Sequence, residues 1–195
     1  MALLDLADIS FGRGLRTLAQ ALSLSVVPGT VVHLTGPNGV GKTTLLEIAA
    51  GLRRPWQGER RCDVALHWLG HRNALAASLS PLQNLESWAD LQADISGTAR
   101  AALQALGVDK VRNRPARDLS AGQKRRSALA RLVMAQRPLW ILDEPFDGLD
   151  HAGLTDLADL FNDQTERAGA ILVTSHQPLP AGIKAQIVLP LDVAI

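Results

Sequence analysis

Gly36-Pro37-Asn38-Gly39-Val40-Gly41-Lys42-Thr43 is the stretch on which the fold of this 195-residue chain turns. It matches the pattern G-x-x-x-x-G-K-[ST], and its surroundings suit that pattern. Before it, residues 30–35 carry Val31, Val32 and Leu34, a short β-branched run. After it, Leu45, Leu46, Ile48, Ala49 and Leu52 recur at helical spacing until Gly51 and Pro55 close the segment. Glycines let such a loop wrap a phosphate without Cβ clashes, and the helix that follows adds unpaired N–H donors and a favourable dipole. The loop therefore predicts a nucleoside triphosphate site. The backbone of Gly36, Pro37, Asn38, Gly39, Val40 and Gly41 cradles the phosphates, and Thr44 is counted with the nucleotide-binding residues. Lys42 supplies a point charge to the β- and γ-phosphates, and Thr43 offers its hydroxyl to Mg²⁺.

Working outward, residues 139–142 (Leu-Trp-Ile-Leu) read as a buried strand that ends in Asp143 and Glu144. A carboxylate at the C-terminal end of a parallel strand lies where ligands of such sheets bind. Asp143 is thus the expected metal carboxylate, and Glu144 is suited to polarise an attacking water. Further strands are expected at 21–27, 64–69 and 170–174, and helices at 121–136 and 152–168. Residues 72–118 shift to helical character: Ser80-Pro81 opens one helix and Ser96 can cap another. Strands alternating with helices imply an α/β fold on a parallel sheet. The expected organisation is a single domain, residues 1–195, with residues 72–118 as an inserted helical subdomain.

Composition narrows the class. Apolar residues make 47% of the chain and charged ones 20%, enough to bury a core. Cys62 is the single cysteine, which excludes a disulfide framework. No apolar run approaches the ~20 residues of a membrane helix, and no signal peptide is apparent. Net charge is +1, but it is unevenly spread: residues 110–137 hold nine of the 20 Lys and Arg with one acid, Asp118. Residues 143–166 hold eight of the 19 acids and no Lys or Arg. The basic run lacks interleaved aromatics for stacking bases, so nucleic acid is not an expected partner.

Leu119-Ser120-Ala121-Gly122-Gln123, lying between the phosphate loop and Asp143-Glu144, resembles the signature motif of ABC-type ATPases. Gly148-Leu149-Asp150 is similar to the D-loop of that family, and His176 to its switch histidine. The resemblance spans nearly the whole chain and implies a P-loop NTPase fold of the ABC nucleotide-binding type. It also implies a homodimer in which two copies pair head to tail. Each ATP then lies between one copy's Lys42 loop and the partner's Ser120, Gly122 and Gln123. Glu144, His176 and Lys42 become the expected catalytic residues, with Mg²⁺ on Thr43 and Asp143. Phe11 is the candidate to stack on adenine.

Where the family usually carries a Gln that watches the metal and the lytic water, this chain has His71, after Trp68-Leu69-Gly70. A neutral imidazole can accept from water or donate to phosphate, so His71 joins the candidates around the metal. His71, the block at residues 138–146 and Ser175-His176-Gln177-Pro178-Leu179 resemble the ATP-binding subunits of haem exporters of cytochrome c maturation. That likeness implies integral membrane partner subunits and a peripheral position on the cytoplasmic face of the inner membrane. No C-x-x-C-H is present, so haem rests on the resemblance alone. Alternatives are a transport ATPase with another cargo, a soluble ABC ATPase, or a non-hydrolysing ATP clamp. Intact Glu144, Gly122 and His176 argue against the last.

Overall fold

The computed structural model describes residues 1–191. Its chain divides into two compact units. The first contains Met1–Gly70, Arg137–Glu144 and a segment beginning at Phe161, and the second His71–Gln136 and Pro145–Leu160.

Two sheets build the first unit. Strands β1 (Leu4–Arg13), β2 (Arg16–Val26) and β4 (Gln57–Arg61) form an antiparallel sheet in the order β2-β1-β4. Strands β3 (Val31–Thr35), β5 (Leu66–Leu69), β6 (Leu139–Leu142), β7 (Ala170–Thr174) and β8 (Ile187–Pro190) form a second sheet in the order β5-β6-β7-β3-β8, with every pairing parallel. The expected parallel sheet is therefore joined by an antiparallel one. β1 hides from a simple period-two reading because Asp8, at φ 53°, makes a bulge. Its N–H donates to Ser23 Oγ at 3.0 Å, which clasps the bulge to β2. β4 reads Gln-Gly-Glu-Arg-Arg and is mostly exposed, an edge strand guarded by charge.

Helix α1 (Lys42–Ala49) buries Leu45, Leu46 and Ile48 completely against Leu4, Leu6, Val32, Leu34, Ile141 and Leu172. Each such side chain contributes about 1.5–3 kcal/mol of hydrophobic stabilisation. Elsewhere in the unit the Trp140 and Phe161 rings meet edge to face, their centroids 6.3 Å apart.

In the second unit, α2 (Pro81–Ala89) starts with a capping box: Ser80 Oγ accepts the Gln83 N–H, and Gln83 Oε1 accepts the Ser80 N–H. Helix α3 (Ala99–Ala105) is capped by Thr98 rather than by Ser96. The Ser96 N–H goes instead to the Met134 carbonyl, 2.9 Å away. The helix expected over 121–136 is divided into α4 (Ala121–Leu129) and α5 (Arg131–Met134). Helix α6 (His151–Glu166) contributes its residues through Leu160 to this unit and the remainder to the first.

Candidate nucleotide site

Sheet order explains why the expected chemical groups of the first unit gather. β6, β7 and β3 are adjacent and parallel, so the loops leaving their C-terminal ends emerge side by side. Those loops begin at Asp143, Ser175 and Gly36.

After β3 the backbone turns through Gly36 at φ 136° and Gly41 at φ 114°, a region that L side chains rarely adopt. A Cβ on Gly36 would stand 2.4 Å from the Leu191 carbonyl oxygen. Pro37, Asn38 and Gly39 are exposed, while Val40 is buried and anchors the loop. Gly41 precedes α1 without any side-chain cap, and no acid lies in the first turn. An anion can take the place of that missing cap. Lys42 is buried, and its ammonium donates to the Gly36 carbonyl at 2.7 Å and to that of Pro37 at 3.2 Å. The charge is thereby folded back over the loop. Thr44, the next residue but one, is half-buried.

Thr43 Oγ1 donates to Asp143 Oδ2 at 2.9 Å. This places two hard oxygens together beside the loop. Among the described residues there is no group of three or more His, Cys, Asp or Glu side chains that could hold a metal. A hydroxyl, one carboxylate, phosphates and water are the donor set that Mg²⁺ accepts, and Zn²⁺ is poorly served by it.

Glu144 is buried and sits at φ 49°, a conformation that strains a non-glycine residue by about 1–3 kcal/mol. Both of its carboxylate oxygens face His176. Oε2 accepts the His176 N–H at 2.9 Å, and Oε1 lies 3.3 Å from Nε2. The imidazole itself is about half exposed, at 47%. His33, within β3, hydrogen-bonds the Ser175 backbone, and burial pushes its pKa below the usual histidine value.

Phe11 is not available to stack on a base. It is 1% exposed. The Asp8 bulge resets the phase of β1 so that Ile9 and Phe11 both point inward, and Phe11 packs beneath Gly41. The exposed aromatic beside the hairpin is Trp56, whose ring lies over Gly12.

The second unit carries the remaining expected groups. His71 is exposed at its start. Ser120 caps α4 in another capping box: Oγ accepts the Gln123 N–H at 3.2 Å, and Gln123 Oε1 accepts the Ser120 N–H at 3.0 Å. A capping hydroxyl keeps its own hydrogen for an external acceptor. Ser120, Gly122, Gln123, Lys110, Arg126 and Asp150 line a groove of ≈ 630 Å³.

One wall of this groove is unusually tight. A Cβ on Gly122 would meet the Gly148 carbonyl oxygen at 2.4 Å. Arg126 bonds Asp150 and approaches Asp156 at 3.7 Å, with its side chain only 11% exposed. Part of the charge asymmetry of the sequence is therefore an internal pairing of its basic and acidic stretches. Gly122→Ala is expected to force α4 away from residues 148–150, costing about 1–3 kcal/mol of stability. ATPase rate should fall at least several-fold, and a melt together with steady-state kinetics checks both effects.

The ABC transporter family model matches residues 19–147. This chain belongs to the ABC transporter family. It is 38% identical over 187 residues to the cytochrome c biogenesis ATP-binding export protein CcmA of Hyphomonas neptunium, covering 96% of each protein. To the protein of the same name from Gluconobacter oxydans it is 43% identical over 180 residues, covering 91% of this chain and 83% of that one. Its fold is that of a solved ATP-binding subunit of an ABC transporter, with a TM-score of 0.80 at 23% identity, covering 89% of this chain and 79% of that one. As a member of this family the chain is an ABC-type ATPase that binds and hydrolyses ATP.

Sequence reasoning missed one group in each unit. Thr174 was hidden at the end of an apolar strand, and its only hint was a hydroxyl just before Ser175-His176. In the sequence Arg126 is one basic residue among nine, although its spacing from Gly122 puts it one turn along the same helix.

Proposed function

We propose that this ABC ATPase is the energy-converting subunit of an export complex for cytochrome c maturation, with haem as the cargo class. Likeness to the CcmA proteins over nearly the full length of both chains is the observation that carries this reading. No helix among the described residues is long and apolar enough to cross a membrane. Attachment to a bilayer then runs through integral membrane partners, with the ATPase on the cytoplasmic face of the inner membrane.

In this reading the Gly36–Thr44 loop binds the triphosphate, and Lys42 swings from the Gly36 and Pro37 carbonyls to the β- and γ-phosphates. Thr43 and Asp143 would hold Mg²⁺, which would neutralise phosphate charge. Glu144 is the base. Its carboxylate orients a water and takes its proton, while His176 steadies the carboxylate from two directions. The imidazole, about half exposed, lies beside the base on the side where a γ-phosphate would enter in this reading. His71, standing where the family usually carries Gln, is the remaining candidate to act on the lytic water.

Two copies pair head to tail, and the groove at Ser120, Gly122 and Gln123 receives the partner's triphosphate. Lys110 and the α4 N-terminus make that groove attractive to an anion. ATP closes the dimer, hydrolysis reopens it, and the helical unit relays the movement to the membrane subunits.

Affinity purification of the full chain from detergent-solubilised membranes tests the assignment. The expected result is co-purification of integral membrane subunits together with haem-handling components, and loss of haem attachment to c-type cytochromes when Glu144→Gln replaces the native chain. Normal cytochrome c maturation in that strain would overturn the cargo assignment and leave the ATPase chemistry untouched.

A further inference from the structure

We propose that Thr174 is a positioning residue of the hydrolytic centre, fixing Asp143 and Glu144 through a single hydroxyl. The proposal rests on the reading of those two acids as metal carboxylate and base.

Thr174 ends β7, whose other residues are Ala170, Ile171, Leu172 and Val173, and all five are buried. Thr174 itself is 0% exposed. Nothing about its packing demands a polar atom, because a valine has the same shape. The polar atom is nevertheless fully engaged. Oγ1 donates its one hydrogen to Asp143 Oδ1 at 2.7 Å and accepts the Glu144 N–H at 2.9 Å.

Each of these bonds controls something that chemistry needs. The Asp143 carboxylate is held between two threonine hydroxyls, Thr174 on Oδ1 and Thr43 on Oδ2. Rotation of the carboxyl group about its last torsion is thereby blocked, and the oxygen that faces Thr43 is selected. The Glu144 bond acts on the backbone instead. Glu144 holds φ 49°, and its N–H has no place in the strand ladder because β6 ends at Leu142. The Thr174 oxygen is the acceptor that retains this strained peptide. Two residues further along the chain, the His176 N–H bonds the carboxylate of the same glutamate, with the imidazole Nε2 3.3 Å from its other oxygen. One strand end thus sets the Glu144 backbone, the Glu144 carboxylate and the Asp143 carboxylate together.

Thr174→Val removes both bonds at constant shape, whereas Thr174→Ser keeps the hydroxyl and loses only a methyl. The full-length chain should be assayed for ATPase kinetics, thermal melting and equilibrium ATP binding, the last with Mg²⁺ and with EDTA. For Thr174→Val, kcat is expected to fall about 10- to 100-fold while KM for ATP stays within about threefold. ATP affinity in EDTA should match wild type, because the loop and Lys42 are untouched, and the gain in affinity on adding Mg²⁺ should shrink. Thr174→Ser should recover kcat to within about threefold of wild type.

A folded Thr174→Val protein with wild-type kcat and an unchanged Mg²⁺ increment would overturn the proposal. So would a Thr174→Ser protein as slow as Thr174→Val, since the methyl would then be what matters. If Thr174→Val does not fold, Thr174→Cys, which trades the hydroxyl for a weakly bonding thiol, takes its place on the same criteria. Normal turnover by Glu144→Gln would strike the underlying reading instead, so the two failures are distinguishable.

Discussion

Glu144→Gln is expected to abolish turnover and leave ATP bound. The amide matches the carboxylate in shape, so the strained backbone and its bond to Thr174 survive. One amide oxygen can still accept the His176 N–H that Glu144 Oε2 accepts at 2.9 Å. What disappears is a basic oxygen able to take a proton from water. General-base loss of this kind costs about 10²- to 10⁴-fold in kcat. The phosphate loop and Lys42 keep their contacts, so affinity for ATP should persist. Steady-state hydrolysis, paired with nucleotide retained after gel filtration, measures both halves of the expectation. Wild-type hydrolysis by this variant would remove Glu144 from the role of base.

Lys42→Ala should produce the opposite pattern, with binding lost before chemistry. The ammonium is buried and already solvated by two loop carbonyls at 2.7 and 3.2 Å. When a triphosphate enters, the ammonium exchanges these two carbonyls for phosphate oxygens. Charge-assisted bonds of this type are worth about 1.5–3 kcal/mol each, so ATP affinity should drop about 10- to 100-fold per bond lost. Titration calorimetry with ATP checks the loss, and a melt without nucleotide should show a folded protein. Unchanged ATP affinity would place the phosphates elsewhere.

Much of this molecule was legible from residue order because its parallel strands are buried on both faces. Val31–Thr35, Leu139–Leu142 and Ala170–Thr174 read as short apolar runs, and the structure places strands there. The α/β class followed from their alternation with helices. The antiparallel sheet was harder to see for a physical reason. Asp8 and Ala21 take positive φ, and the register of β1 on β2 shifts repeatedly, so alternation breaks where the pairing continues. β4 carries no apolar face at all. The direction of Phe11 is hidden for the same reason, since only the bulge determines which way it points.

At the candidate site, the loop at residues 36–43 could be recognised because local sequence alone dictates its geometry. Thr174 could not. Its importance arises from lateral pairing with β6, a neighbour 31 residues away along the chain. The Arg126 bond to Asp150 is likewise long-range in sequence, and composition registered it only as two opposite charge runs.

The proposed head-to-tail sharing of ATP between two copies is decided by mixing two inactive variants. Lys42→Ala disables the loop. Gly122→Asp disables the groove by adding bulk against the Gly148 carbonyl and negative charge among the groove residues proposed to receive the triphosphate. Each variant alone should hydrolyse almost no ATP. In a mixed dimer, one of the two sites combines an intact loop with an intact groove. Equal mixing after dissociation should therefore restore about a quarter of wild-type turnover. No recovery from mixtures proven to contain mixed dimers would contradict the shared site.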